Sequence, residues 1–251
     1  MVGARPLFLL AGLVSASPAA AACRQALILA LDVSASVDAQ EYRLQTDGLA
    51  QALIAPAVTE AFLSLPEAPV ALAIFEWSGQ NFQETVQPWT MIESEDDLAA
   101  LSALLHGRPR SPGHGTTAIG AAMGYAAGLF AEGPACARMV LDISGDGENN
   151  DGPSPGERRD RPDLAGVTIN GLAIVSELSA EEERLTPSGG RLVDYYTNHV
   201  IKGADAFVEI ARDFSDFETA MIRKLLRELE TIMVGEAAVP RQAVPPPPYR
   251  Q

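Results

Sequence analysis

Apolar and polar positions along this chain follow two periods in turn. Ala26-Leu27-Ile28-Leu29-Ala30-Leu31 is a continuous apolar run, the pattern of a strand buried on both faces. Asp38 and Glu41 then form an N-cap and its capping-box partner, and Tyr42, Thr46, Leu49 and Leu53 recur at helical spacing. Val70 to Phe75 and Phe82 to Val86 read as two strands joined by a Ser-Gly turn, which predicts a hairpin and one antiparallel edge strand. Ser94 caps a predicted helix carrying Leu98, Leu101, Leu104 and Leu105. After a Pro/Gly loop from Arg108 to Gly115, a helix starting near Thr117 carries Ile119, Met123, Ala126 and Phe130. Residues 139–144 are strand-like, and 147–163 form a polar, Gly- and Pro-rich loop. Val167 to Val175 is the next strand, Arg191 to His199 a helix and Ala206 to Ile210 a short last strand. Ser215 and Glu218 read as a second capping box, opening a helix striped by Phe217, Met221, Leu225, Leu229 and Ile232. Strands alternating with helices predict a doubly wound α/β fold, with a mainly parallel sheet and helices on both faces.

That architecture puts ligands at the carboxyl ends of the strands. Three pieces of the sequence end there. Asp32-Val33-Ser34-Ala35-Ser36 directly follows the first strand, Thr117 opens a helix, and Asp146 closes Met139-Val140-Leu141-Asp142-Ile143-Ser144-Gly145-Asp146-Gly147. Carboxylates and hydroxyls without a thiol suit a hard cation such as Mg²⁺, which takes about six oxygens including one or two carboxylates. Two aspartates roughly neutralise the ion, and neutral hydroxyls leave it electrophilic enough to accept a carboxylate from a partner. Taken singly, Ser34 and Ser36 are also ordinary helix caps, and Asp32 and Asp146 ordinary turn acids; their joint occurrence with Thr117 favours the metal.

This constellation resembles the metal-ion-dependent adhesion site of von Willebrand factor A domains, whose pattern is Asp-x-Ser-x-Ser, then Thr, then Asp before Gly. The resemblance falls on Asp32, Ser34, Ser36, Thr117 and Asp146. Thr117 is preferred to Thr116 because Gly120 and Ala122 then sit where the family's Thr-x-x-Gly-x-Ala places them. Phe75-Glu76-Trp77-Ser78-Gly79, Pro88-Trp89-Thr90, Ser144-Gly145-Asp146-Gly147-Glu148-Asn149-Asn150, Ile169-Asn170-Gly171-Leu172 and Tyr195-Tyr196 are similar to an exported bacterial branch of that fold of unknown function, DUF1194-like. The likeness runs roughly from residue 24 to 233. It implies a fold and a Mg²⁺ site, with Mn²⁺ or Ca²⁺ as alternatives, and no reaction.

Composition bounds the partner. Asp and Glu number 33 against 18 Lys and Arg, a net charge of −15, which argues against nucleic acid and anionic lipid. Residues 1–22 read as a signal peptide: Arg5, an apolar core from Leu7 to Val14, and the small residues Ala20-Ala21-Ala22. The run is too short to span a bilayer. The expected product is soluble and periplasmic or secreted, with a domain over 23–235 and a polyproline II or disordered tail over 236–251 around Pro245-Pro246-Pro247-Pro248.

Cys23 and Cys136 are the chain's two cysteines, and two cysteines in an exported chain favour a disulfide. The resemblance makes their strands parallel neighbours. Cys23 precedes Asp32 by nine residues and Cys136 precedes Asp146 by ten, so the two lie level. Lipid modification of Cys23 is the minority alternative, since Ala20 stands where a lipoprotein box has Leu.

Other chemistry is thinner. Asp142 is expected to pair with Arg138 or to back the site, and Glu76 to rim the site or to sit in a hairpin turn over Trp77. The stretch from Asp146 to Glu157 misses the EF-hand pattern by one position at its glycine. His106, His114 and His199 share no metal-ligand spacing, and His114 reads as an exposed loop residue. The function expected is divalent-cation-dependent protein binding in the bacterial envelope, without catalysis. The alternatives are a metal-dependent phosphoryl hydrolase and a scaffold with a vestigial site. The hydrolase is disfavoured because Ser34 stands where such enzymes often carry a second Asp, and because neither Lys202 nor Lys224, the chain's two lysines, lies at a convincing strand end.

Overall fold

A computed structural model describes residues 23–111, 115–175 and 191–230. The expected signal segment over 1–22, the Pro-rich residues 236–251, His114 and Ile232 lie outside the described residues. In chain order the elements are β1 (Cys23–Asp32), α1 (Ala39–Ile54), α2 (Pro56–Leu63), β2 (Val70–Trp77), β3 (Gln83–Ile92), α3 (Glu95–Leu105), α4 (Ile119–Glu132), β4 (Cys136–Gly145), α5 (Pro155–Arg159), β5 (Val167–Ile174), α6 (Leu192–Tyr195), β6 (Val208–Ala211) and α7 (Phe217–Glu230).

The six strands form one sheet in the order β3-β2-β1-β4-β5-β6. All neighbours are parallel except β2 and β3, the expected hairpin at the edge. Pro88 lies in that edge strand, where its missing N–H costs no central ladder bond. Side chains of β1 alternate between two cores. Leu27, Leu29 and Leu31 face a core built with α1, α2, α3 and α7, while Ile28 and Ala30 face one built with α4 and α6. Both faces are covered, and for that reason β1 is apolar without interruption.

Most local signals act as read. Asp38 accepts from the amides of Gln40 and Glu41 while Glu41 reaches back to the Asp38 amide, and Ser94 with Asp97 does the same for α3. Several differ. Helix α2 is additional: Pro56 holds its first turn after an extended Ala55. The cap before α7 is Asp213 rather than a Ser215–Glu218 box. Its carboxylate takes the Asp216 amide and the Ser215 hydroxyl, and a 3₁₀ turn over Phe214–Asp216 leads into the helix. The loop after β4 contains α5 and a 3₁₀ turn at Pro162–Leu164. The expected helix from Arg191 is present as α6 and continues as a π-helical turn over Tyr196–Val200. Leu104 is 39% exposed, outside the core its neighbours enter.

Asp142 needs a larger correction. It is buried at mid-strand and pairs with Lys224 of α7, whose Nζ lies 2.8 Å from Asp142 Oδ1 and 2.7 Å from Glu228 Oε1. Arg138 cannot reach it: four strand residues separate them by about 13 Å. Asn170 completes the cluster by donating to Glu228 Oε1 at 2.7 Å.

Cys23 and Cys136 face each other across β1 and β4, with Cα atoms 4.6 Å apart, and are joined by a disulfide. The covalent link sits at the amino ends of the two strands that carry Asp32 and Asp146 at the other end.

Candidate functional site

Each oxygen of the site is placed by the end of an element. Asp32 is the last residue of β1 and fully buried. Its carbonyl accepts from Gln45 Nε2 of α1 at 3.0 Å, and its Oδ1 accepts the Ser34 amide at 2.7 Å. That amide bond curls the chain so that the Ser34 and Ser36 hydroxyls come within 3.1 Å of each other. Ser36 Oγ donates to Asp146 Oδ1 at 2.7 Å, linking the β1 turn to the end of β4. Arg110 clamps the turn from outside, donating to the carbonyls of Val33 at 2.9 Å and Ser34 at 2.8 Å.

Thr117 comes from the segment before α4. Its amide donates to Asn150 Oδ1 at 2.8 Å, and its carbonyl accepts the amides of Asn150 and Asp151. Its hydroxyl faces Gly147, where a side-chain carbon would stand 3.8 Å from Thr117 Oγ1. Thr116 instead donates its hydroxyl to Asp151 Oδ2 at 2.9 Å. Asn149 Oδ1 accepts the Gly120 amide, so Asn149, Asn150 and Asp151 bracket the start of α4. The stretch whose spacing brushes an EF-hand loop thus serves as that bracket.

Asp32, Ser34, Ser36 and Asp146 are therefore joined by direct contacts, and Thr117 approaches across Gly147. Burial, and then the charge of Asp146, push the Asp32 carboxyl up to about 8. Asp32 Oδ2 is buried without a hydrogen-bond partner among the described residues. A buried acid facing another acid, with one bare oxygen and hydroxyls alongside, is a donor set that fits a small hard cation. Among the described residues no three His, Cys, Asp or Glu side chains gather to hold an ion; the two carboxylates here are complemented by hydroxyls.

Glu76 does not rim this site. It is fully buried at the end of β2, where Oε1 accepts from Tyr42 at 2.6 Å and from Arg108 Nε at 3.3 Å. His106 contacts Asp47 and His199 packs on Tyr195, both apart from the five oxygens. Arg110 and Tyr196 are residues of the site's surroundings that sequence reasoning missed. The signal for Tyr196 was present in two glycines, Gly145 and Gly171, which open a slot for its ring.

The family model for DUF1194, a protein family of unknown function, matches residues 22–233. The chain belongs to the DUF1194 family. No curated protein matches its sequence. Among solved structures, this DUF1194 chain is similar in fold to proximal thread matrix protein 1 of the mussel byssus, at 16% identity and a TM-score of 0.59, over 84% of this chain and 49% of that one. A second form of that mussel protein, described with a zinc-occupied metal-ion-dependent adhesion site, gives 17% identity, a TM-score of 0.58 and coverages of 84% and 49%. A von Willebrand factor type A protein from Catenulispora acidiphila gives 15%, 0.51, 84% and 43%. The pilus adhesin SpaC of Lactobacillus rhamnosus GG gives 11%, 0.56, 84% and 31%. The DUF1194 chain spans about half the length of these proteins or less, and the likeness is one of fold: a von Willebrand A-like α/β domain.

Proposed function

We propose that this DUF1194 chain is a divalent-cation-dependent protein-binding domain of the bacterial envelope. One observation carries the reading: Asp32, with its buried and unpartnered Oδ2, faces a second acid at the turn where the Ser34 and Ser36 hydroxyls meet, and the Thr117 hydroxyl faces the adjacent Gly147. Asp32, Ser34, Ser36, Thr117 and Asp146 would hold the ion, with Mg²⁺ the first choice and Mn²⁺ or Ca²⁺ acceptable to the same oxygens. The chemistry the ion supplies is a point of positive charge with room for one more oxygen ligand. On a chain of net charge −15 that point selects an acidic side chain of a protein partner. The zinc-occupied site in the mussel protein and the adhesin among the fold relatives support the reading.

Catalysis is not part of the proposal. A phosphoryl hydrolase would want a lysine at the ion, and both lysines are engaged elsewhere. Lys202 donates to the carbonyls of Arg159 and Leu164, and Lys224 is buried between Asp142 and Glu228. The envelope location rests on the signal-like residues 1–22 and on the disulfide, which persists in oxidising compartments. No helix among the described residues is long and apolar enough to cross a membrane.

The test is affinity capture from envelope extract in Mg²⁺ and in chelator, beside calorimetric titration with Mg²⁺, Mn²⁺, Ca²⁺ and Zn²⁺. Capture of a partner in Mg²⁺ that is lost in chelator and lost in Asp32→Ala is expected. Equal capture in both conditions would reject the mechanism, and phosphate release from a generic monoester would reject the non-catalytic reading.

A further inference from the structure

Behind the five oxygens lies a sixth, on Tyr196. This tyrosine is fully buried, and its hydroxyl has no hydrogen-bond partner among the described residues. A bare buried hydroxyl is destabilising, so its retention needs a reason. Its position supplies one. A side-chain carbon on Gly145 would stand 2.7 Å from Tyr196 Oη and 2.9 Å from Asp32 Oδ2. The two unpartnered oxygens thus converge on one point at the end of β4.

The fold is built to seat this ring. A side-chain carbon on Gly171 of β5 would stand 2.6 Å from Tyr196 Cδ1, and Gly145 of the adjacent β4 clears the hydroxyl end. Two glycines on neighbouring strands therefore open the slot. Tyr196 also begins the π-helical turn, a local irregularity that redirects side chains and recurs at functional sites. A tyrosine hydroxyl carries its proton at neutral pH, so toward a carboxylate it acts as the donor.

We infer that Tyr196 is a positioning residue of the cation site, its hydroxyl donating to Asp32 Oδ2 when the ion is bound. This rests on the metal reading above. With the Ser34 amide on Oδ1 and the phenol on Oδ2, the carboxylate has a donor on each oxygen. That arrangement favours its charged form and fixes its plane toward the ion. Outer partners of this kind are typically worth 10- to 100-fold in metal affinity.

The experiment titrates Mg²⁺ into the mature chain, Tyr196→Phe and Asp32→Ala, following calorimetric heat and the near-ultraviolet tyrosine difference spectrum. Tyr196→Phe keeps the ring that fills the slot. It should lose at least about tenfold in Mg²⁺ affinity, and the Mg²⁺-induced tyrosine band of the wild type should disappear. Wild-type affinity in Tyr196→Phe, with the band still present, would overturn the inference while leaving the metal site standing. Absence of Mg²⁺ binding by the wild type would instead overturn the metal reading itself, and the inference with it. Should Tyr196→Phe not fold, the wild type and Tyr195→Phe carry the test. A Mg²⁺-induced tyrosine band in both supports the assignment, and Mg²⁺ binding without any such band overturns it.

Discussion

Two places in this molecule set one acid beside another in a buried setting, and they resolve it differently. On the core side of β4, Asp142 and Glu228 share the ammonium of Lys224, which is itself fully buried, and Asn170 adds a donor. At the carboxyl ends of β1 and β4, Asp32 faces Asp146 with no lysine beside them among the described residues, and the nearby Arg110 donates through Nη2 to two backbone carbonyls. The first cluster carries its own cation, and Asp142 Oδ2 and Glu228 Oε2, like Asp32 Oδ2, have no hydrogen-bond partner among the described residues. The second is short of positive charge, and its remaining groups are the hydroxyls a hard ion uses. On the proposed reading, the contrast separates a structural acid from a binding one where burial does not, since both Asp32 and Asp142 are buried.

The largest effect should come from removing the internal cation. Lys224→Met leaves two buried acids unneutralised and should cost about 3–5 kcal/mol of folding stability, measured by urea unfolding at pH 8. Burial already pushes Asp142 up to about 7 against the pull of Lys224. A carboxyl raised above its unfolded value contributes most to stability at low pH, and that contribution is lost as pH rises from about 4 toward 7. Without Lys224 the Asp142 carboxyl is raised further. The penalty of Lys224→Met should therefore be small at pH 5 and full at pH 8, and a penalty independent of pH would remove the electrostatic account of this cluster.

Removing a charge at the other site should have the opposite sign. Asp32→Asn keeps an acceptor for the Ser34 amide and deletes a buried charge that faces Asp146. In chelator it should raise stability at pH 8, where burial and Asp146 disfavour the Asp32 carboxylate. Divalent-ion affinity should fall more than about 100-fold, beyond the range for outer partners, as it should for Asp146→Ala. A destabilised apo protein with unchanged ion affinity would make Asp32 a structural acid like Asp142, and the contrast would collapse.

Much of this was legible because it was local. The apolar run of β1, the Asp38 and Ser94 caps and the β2–β3 hairpin depend on near neighbours. The Asp-x-Ser-x-Ser turn depends on them too, through one amide bond from Ser34 to Asp32. The level pairing of Cys23 with Cys136 followed once their strands were taken as parallel neighbours. What stayed hidden depends on residues far apart in sequence. Lys224 reaches Asp142 only after α7 docks, and Arg110 reaches Val33 and Ser34 only after α3 turns its loop back over β1. Tyr196 was quoted in a motif without a role, because its slot is formed by glycines of two other strands. Even the misread cap before α7 fits this pattern of competing donors: Ser215 and Asp213 are two residues apart, and the carboxylate outcompetes the hydroxyl for the free amide.

Arg110 offers the finest test of the contrast, because among the described residues it is the cation whose charge acts on Asp32. Two terms oppose each other in Arg110→Ala. Losing the clamp on Val33 and Ser34 frees the turn that carries the hydroxyls, two hydrogen bonds each worth about 1 kcal/mol net. Losing a positive charge near Asp32 makes the site more attractive to a cation, but the guanidinium is the last of the influences on that carboxyl, after burial, Asp146 and the Ser34 bonds. The two should nearly cancel, leaving Mg²⁺ affinity within about threefold of wild type, by the standard of 1.4 kcal/mol per factor of ten. A gain of tenfold or more would show that Arg110 acts at this site as Lys224 does at the other. A loss of tenfold or more would make the clamp a determinant of ion binding in its own right, on a level with Tyr196.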